Sequence, residues 1–238
     1  MRHILIINPN TSDSVTALLK GHAQKEAGAE VHVQAVTARF GAPYISCEAS
    51  YAVAGHATLD AWASTVAQDA PLPDAVLIGC FGDPGLFALR EASAAPVTGL
   101  AEAAFAEATA YGRFAIVTGG QRWKPMLERI AGNLGYGPSL GGIVTVEPTG
   151  AQLAQDPLAA RVLLAEACLQ AVRQLNVQSV ILGGAGLAGL AAQVQAQVGV
   201  PVIDSVLAGI RQTLLLAAQP PADNVGRSNE IGAWLGKF

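Results

Sequence analysis

A chain of 238 residues with 51% hydrophobic content and 13% charge can bury a large core, and no apolar run in it reaches the length of a membrane span. A net charge of −4 without a basic cluster argues against nucleic acid, and the amino terminus lacks the pattern of a signal peptide, so a cytoplasmic location is expected. Cys47, Cys80 and Cys168 show no metal-ligand spacing and leave an odd count, which argues against a disulfide framework or a zinc site.

Met1 to Ile7 reads as a β-branched strand that runs into Asn8-Pro9-Asn10-Thr11-Ser12, a turn able to cap a helix beginning near Asp13. Val31 to Val36 is a second strand. Thr37 to Ser46 is too rich in Gly and Pro to be regular and is read as a loop carrying Tyr44. Glu48 to Asp69 has helical periodicity and ends before Pro71. Ala75 to Ile78 is a buried parallel strand leading to Cys80, and Pro84 to Glu91 reads as the helix after it. Cys80 is therefore expected at a strand-to-helix turn, where the helix dipole and unpartnered N–H groups would favour thiolate.

Pro96 to Leu100 reads as a short strand or crossing segment, followed by an Ala-rich helix to about Ala110 and a strand from Phe114 to Val117. Lys124 to Leu134 is a helix, Gly135 to Gly142 a glycine-rich connection, and Ile143 to Val146 a strand. Pro157 to Leu175 is a long helix, Val180 to Leu182 a strand, and Val206 to Ala218 the last helix, with the tail through Trp234 expected to fold back on the first half.

About a hundred residues after DAVLIGCFGDPGLFALREASAAPVTG the pattern returns as QSVILGGAGLAGLAAQVQAQVGVPVIDS, with Cys80 opposite Gly184. The strand RHILIINPN likewise resembles RFAIVTGG. Strands alternating with helices in two copies of one half-fold predict an α/β protein of two pseudo-twofold-related Rossmann-like lobes with parallel sheets, residues 1–97 plus 206–238 and residues 98–205. Ligands in such folds lie outside the carboxyl ends of the strands, which places the expected site in the inter-lobe cleft. Its wall is expected from Asn8, Asn10, Thr11, Tyr44, Cys80, Phe81 and Gly82 of one half, with Thr118, Gly119, Gly120, Gly184, Ala185 and Gly186 of the other. Backbone N–H groups gathered there would hold a carboxylate or an enolate, each well-placed donor being worth about 3 kcal/mol in a transition state. Cys168, in LLAEACLQAV, reads as core, Cys47 as structural, and His56 as an ordinary helical histidine.

The motifs INPNTS at Ile7 to Ser12 and CFGDPGL at Cys80 to Leu86 resemble the cofactor-independent aspartate, glutamate and hydantoin racemases, in their hydantoin and allantoin racemase branch, whose relatives include arylmalonate decarboxylases and maleate isomerases. The resemblance spans nearly the whole chain. It implies a small carbon-acid substrate, most naturally a 5-substituted hydantoin, no cofactor, and a homo-oligomer. It also implies two cysteines flanking the stereocentre. Cys80 matches the first, but the second would fall in VILGGAG, where this chain has Gly184. Racemisation moves a proton off one face and onto the other, so a chain with Cys80 alone lacks its second proton-transfer group. Three readings follow: a one-cysteine member, a variant whose second cysteine was substituted, or another group on the open face. An arylmalonate-type decarboxylase is the alternative enzyme, although the resemblance puts its single cysteine at the position of Gly184. A small-molecule binding module is the alternative outside catalysis. GGAGLAG makes a poor phosphate loop, having no Lys-Ser/Thr ending.

Overall fold

The computed structural model describes residues 1–67, 71–148 and 150–220. The chain divides into two compact units, Met1–Gly99 with the described residues from Ile210 onward, and Leu100–Gly209. The first unit runs β1 (Arg2–Asn8), α1 (Asp13–Ala27), β2 (Val31–Thr37), α2 (Glu48–Val66), β3 (Ala75–Ile78), α3 (Leu86–Ala92) and β4 (Val97–Gly99). The second contains α4 (Leu100–Thr109), β5 (Phe114–Gly119), α5 (Trp123–Asn133), β6 (Leu140–Val146), α6 (Gly150–Gln155), α7 (Pro157–Leu175), β7 (Ser179–Gly183), α8 (Leu190–Val194) and β8 (Val202–Asp204). Helix α9 (Ser205–Ala217) begins in the second unit and ends in the first.

Each unit holds a four-stranded parallel sheet, in the order β2-β1-β3-β4 and β6-β5-β7-β8. The two orders are the same order. The central strands are uninterrupted apolar runs because helices cover both faces of a parallel sheet, and Ile4–Ile7, Ala75–Ile78 and Phe114–Val117 are fully buried. In the second unit, Ala115, Val117, Val180 and Leu182 pack in one core with Ala160, Leu164, Cys168 and Ala171 of α7. Cys168 is an apolar filler there, its thiol pushed up to about 12 by burial.

The internal repeat is present bond for bond. Val76 N–H donates to the Pro96 carbonyl at 2.9 Å, and Val180 N–H to the Pro201 carbonyl at 2.9 Å. Asp74 N–H reaches the His3 carbonyl and Gln178 N–H the Arg113 carbonyl, both at 2.7 Å. Side chains return those bonds, as His3 N–H donates to Asp74 Oδ2 at 2.7 Å and Arg113 N–H to Gln178 Oε1 at 2.8 Å.

Several boundaries differ from the sequence expectation. Strand β6 starts at Leu140, within the expected glycine-rich connection, because Leu140 pairs with Phe114 and a bulge at Gly141 lets Gly142 pair with Ala115. Strand β8 and helix α6 are additional elements, too short to show a period. Helix α3 begins at Leu86, two residues late, because Asp83 and Gly85 both have left-handed φ, +52° and +84°. Helix α7 spans Pro157–Leu175 as expected, with Asp156 Oδ1 accepting from Ala159 N–H and Pro at the start of the helix. Asp69 and the tail through Trp234 lie outside the described residues. Among the described residues no helix is long and apolar enough to cross a membrane.

Candidate functional site

In the first unit, the polar turns gather at the carboxyl ends of adjacent strands β1 and β3, where Ile7 pairs with Ile78. The Asn8 side chain is wholly buried and spent on the turn itself. Its Nδ2 donates to Asn10 Oδ1, the Ser12 carbonyl and Thr16 Oγ1 at 2.9 to 3.0 Å, and its Oδ1 accepts from Asn10 N–H. Ser12 N–H takes the remaining side of Asn10 Oδ1, and Thr11 N–H reaches the Ala42 carbonyl at 3.2 Å. Asn8 therefore builds the turn, its side chain wholly buried and directed onto Asn10, Ser12 and Thr16. The backbone N–H groups of Asn10, Thr11 and Ser12 are likewise consumed. This turn can offer only side-chain groups, Asn10 Nδ2 and Thr11 Oγ1, which make no hydrogen bond among the described residues.

Cys80 follows β3 and is 7% exposed. Asp83 N–H bonds the Cys80 carbonyl and Leu86 N–H the Asp83 carbonyl, both at 3.1 Å, so two tight turns separate the thiol from α3. The helix dipole thus does not act at the sulfur, and α3 is only seven residues long. Burial first, and the Asp83 carboxylate second, push the Cys80 thiol well above the ordinary range. The expected thiolate is a thiol at rest. Phe81 and Gly82 are buried beside it, with the Gly82 N–H unspent among the described residues. Tyr44 is half-buried in the loop between β2 and α2.

Helix α2 holds this turn from one face. Tyr51 Oη–H donates to the Gly82 carbonyl at 2.7 Å, and Thr58 Oγ1–H to the Pro84 carbonyl at 2.9 Å. Between them Gly55 lies against Gly85, where a Cβ on Gly85 would meet the Gly55 carbonyl at 2.9 Å. Cys47 stands at the N-terminus of α2, its sulfur 3.4 Å from Ser50 Oγ. Arg39 forks onto the buried Asp60 of the same helix, with Nε 2.9 Å from Oδ2. Sequence reading missed Tyr51 and Thr58, whose seven-residue spacing along one helix face was the available signal, and Asp60, which that spacing does not mark.

In the second unit, β5 and β7 are adjacent, Thr118 pairing with Gly183. Thr118 is buried and its hydroxyl donates to the Gly183 carbonyl at 2.7 Å. Gly119 lies within β5, and Gly120 N–H is spent on the Val146 carbonyl at 2.9 Å. Gly184 N–H donates to Ser205 Oγ at 3.2 Å. The N–H groups of Ala185 and Gly186 make no hydrogen bond among the described residues, so they are the donors this unit offers. Gly184 has φ +142°, a conformation side chains rarely adopt, although only Leu187 lies near its missing Cβ, at 3.5 Å. The space for a side chain is there, but the backbone is shaped for glycine.

Gly85 and Gly189 are equivalent in the repeat and cap α3 and α8 with the same left-handed backbone, φ +84° and +82°. The carboxylate beside each cap has changed places. In the first unit it is on the turn, where Asp83 packs on Gly99 at the end of β4; in the second it is on the strand end, where Asp204 Oδ2 accepts from Gly189 N–H at 2.6 Å. Among the described residues no cluster of His, Cys, Asp and Glu could hold a metal ion.

Two parallel four-stranded units of identical strand order, with glycine turns at the carboxyl ends of their central strands and a thiol on one of them, define a two-lobed α/β enzyme of the racemase fold. The family model for Asp/Glu/Hydantoin racemase matches residues 4–213, and the chain belongs to that family. It is 33% identical over 220 residues to the hydantoin racemase of Paenarthrobacter aurescens, covering 90% of this chain and 91% of that one. Allantoin racemase from Klebsiella pneumoniae superposes with a TM-score of 0.86 at 30% identity, over 95% of this chain and 92% of that one. Arylmalonate decarboxylase, at a TM-score of 0.65 and 18% identity over 93% of this chain and 97% of that one, shares the fold. The protein is a racemase-type enzyme.

Proposed function

We propose that this enzyme moves a proton at the ring carbon of a 5-substituted hydantoin, with Cys80 as its acid/base group and no cofactor. The carrying observation is the placement of Cys80 at the end of β3, in a turn braced from α2, within a chain whose relatives over about nine-tenths of its length include hydantoin racemases. In the forward step the minor thiolate form of Cys80, its own proton having passed to solvent, takes the proton from C5, and the C–H electron pair moves into the C4 carbonyl to form an enolate. In the unit that carries Cys80, Asn10 Nδ2 and the Gly82 N–H are the donors available to hold that oxyanion. In the reverse step the thiol returns a proton to carbon.

Gly184, which the repeat aligns with Cys80, carries no acid, so the expected chemistry is exchange on one face with configuration retained. The test is one enantiomer of 5-benzylhydantoin in deuterated water, with optical rotation and deuterium uptake followed together. Uptake with rotation preserved, abolished in Cys80→Ser, supports the reading. Uptake with matching loss of rotation means a second base, and uptake that survives Cys80→Ser overturns the role of Cys80.

The resting thiol favours one alternative. A group held protonated at neutral pH is a ready donor and a poor base, which suits protonation of an enediolate left when carbon dioxide departs from an arylmalonate. Carbon dioxide release from phenylmalonate, absent in Cys80→Ser, would establish that reading.

A further inference from the structure

The turn that carries Cys80 is held from outside as well as by its own backbone bonds. Its middle peptide, between Gly82 and Asp83, has its N–H committed to the Cys80 carbonyl at 3.1 Å and its carbonyl committed to Tyr51 Oη at 2.7 Å. A peptide's C=O and N–H point in opposite directions, so a bond at either end fixes the plane of both. The plane is thus set jointly, by a bond within the turn at one end and by a bond from α2 at the other. One residue on, the Pro84 carbonyl is held by Thr58 Oγ1, which shares its single proton between Pro84 and the Ala54 carbonyl, both at 2.9 Å. Tyr51, Gly55 and Thr58 fall on one face of α2, since residues four and seven apart lie on the same side of a helix. That helix is itself tied to the loop before it by Arg39 and Asp60.

We propose that Tyr51 is a positioning residue for Cys80, holding the turn so that the sulfur sits in its reacting orientation and the Gly82 carbonyl is kept from the substrate. This rests on the role given to Cys80 under the proposed function. The argument is electrostatic as well as geometric. A carbonyl oxygen is the negative end of the peptide dipole, and beside a developing enolate it would oppose the charge that the neighbouring N–H groups stabilise. Capture by the Tyr51 hydroxyl removes that option. Misplacement of a reacting atom by a fraction of its contact distance is costly to rate while leaving binding of the remainder of the substrate intact.

Tyr51→Phe deletes one oxygen and keeps the ring, so the variant is expected to fold. The predicted result is at least a tenfold fall in kcat for deuterium exchange into 5-benzylhydantoin, with KM changed less than twofold. Alkylation of Cys80 by iodoacetamide, read at that residue by peptide mass spectrometry, should change at least threefold, a signal that needs no substrate. Thr58→Val is expected to act in the same direction on both readouts. An unchanged kcat in Tyr51→Phe, or an alkylation rate within twofold of wild type, overturns the positioning role. Cys80→Ser, run in parallel, separates the two ideas: full exchange in that variant defeats the role of Cys80, whereas loss in Cys80→Ser with none in Tyr51→Phe defeats only the role of Tyr51.

Discussion

Asp83 and Gly99 compete for one space: a Cβ built on Gly99 would lie closer than 3.0 Å to the Asp83 carboxylate. Asp83 is 1% exposed and sits three residues after Cys80, so the end of β4 and the cysteine turn are packed as a unit. Gly99→Ala must push the carboxylate, and the turn with it, out of place. A loss of about 2 kcal/mol is expected from such overpacking, read by urea denaturation, together with a changed alkylation rate at Cys80. Wild-type stability in this variant would show that the turn can give way freely.

Gly184 is predicted to resist substitution for conformational reasons. Its surroundings would admit a Cβ, so Gly184→Ala isolates the cost of φ +142°, expected at about 1 to 2 kcal/mol. Gly184→Cys should lose a similar amount, because both carry the same Cβ. Equal denaturation midpoints for the wild type and both variants would mean that the turn relaxes to an ordinary conformation.

Stability should fall in alkali through the two buried thiols. Cys80 and Cys168 both have raised values in the fold, so above the ordinary thiol pKa the unfolded chain has lost protons that the folded chain retains. Stability is thus fully present below about pH 8.5 and is lost as pH rises, by up to about 1.4 kcal/mol per pH unit for each thiol. For Cys168 the window closes at about 12. Urea melts at about pH 7 and about pH 10 should show the Cys168→Ala variant losing less stability than wild type, by about 2 kcal/mol. Identical losses would place that thiol at its unperturbed value.

Asn8→Ala should be damaging out of proportion to its size. The change leaves the Asn10 side chain, the Ser12 carbonyl and Thr16 Oγ1 without a shared donor inside the protein, at a cost of about 2 to 3 kcal/mol. Thermal melting measures it. A shift of less than a degree would assign the turn's order to Pro9 and the backbone alone.

The legible parts of this protein were local. Continuous apolar runs in β1, β3, β5 and β7 mark central parallel strands because such strands meet helices on both faces. Cys80 at the end of β3 and the match of VLIGC to VILGG are statements about order along the chain, and the repeat follows from them. The start of α3 was not legible, since the delay to Leu86 depends on Asp83 and Gly85 turning left-handed while Thr58, from another element, takes the Pro84 carbonyl.

Strand order along the chain, the repeat, the position of Cys80 at a strand end and the glycine that the repeat aligns with it were determined by the sequence alone, because each depends only on residue type and spacing. Tertiary structure decided the protonation of Cys80, which burial first and Asp83 second push toward the thiol, and the exhaustion of the Asn10 to Ser12 N–H groups, which Asn8, Ala42 and the Asn10 side chain consume. It also decided the bracing of the turn from Tyr51 and Thr58. Tyr51 with Gly82, Thr58 with Pro84 and Thr11 with Ala42 are pairs far apart in the chain, and a thiol's proton or a peptide's orientation answers to its neighbours in space.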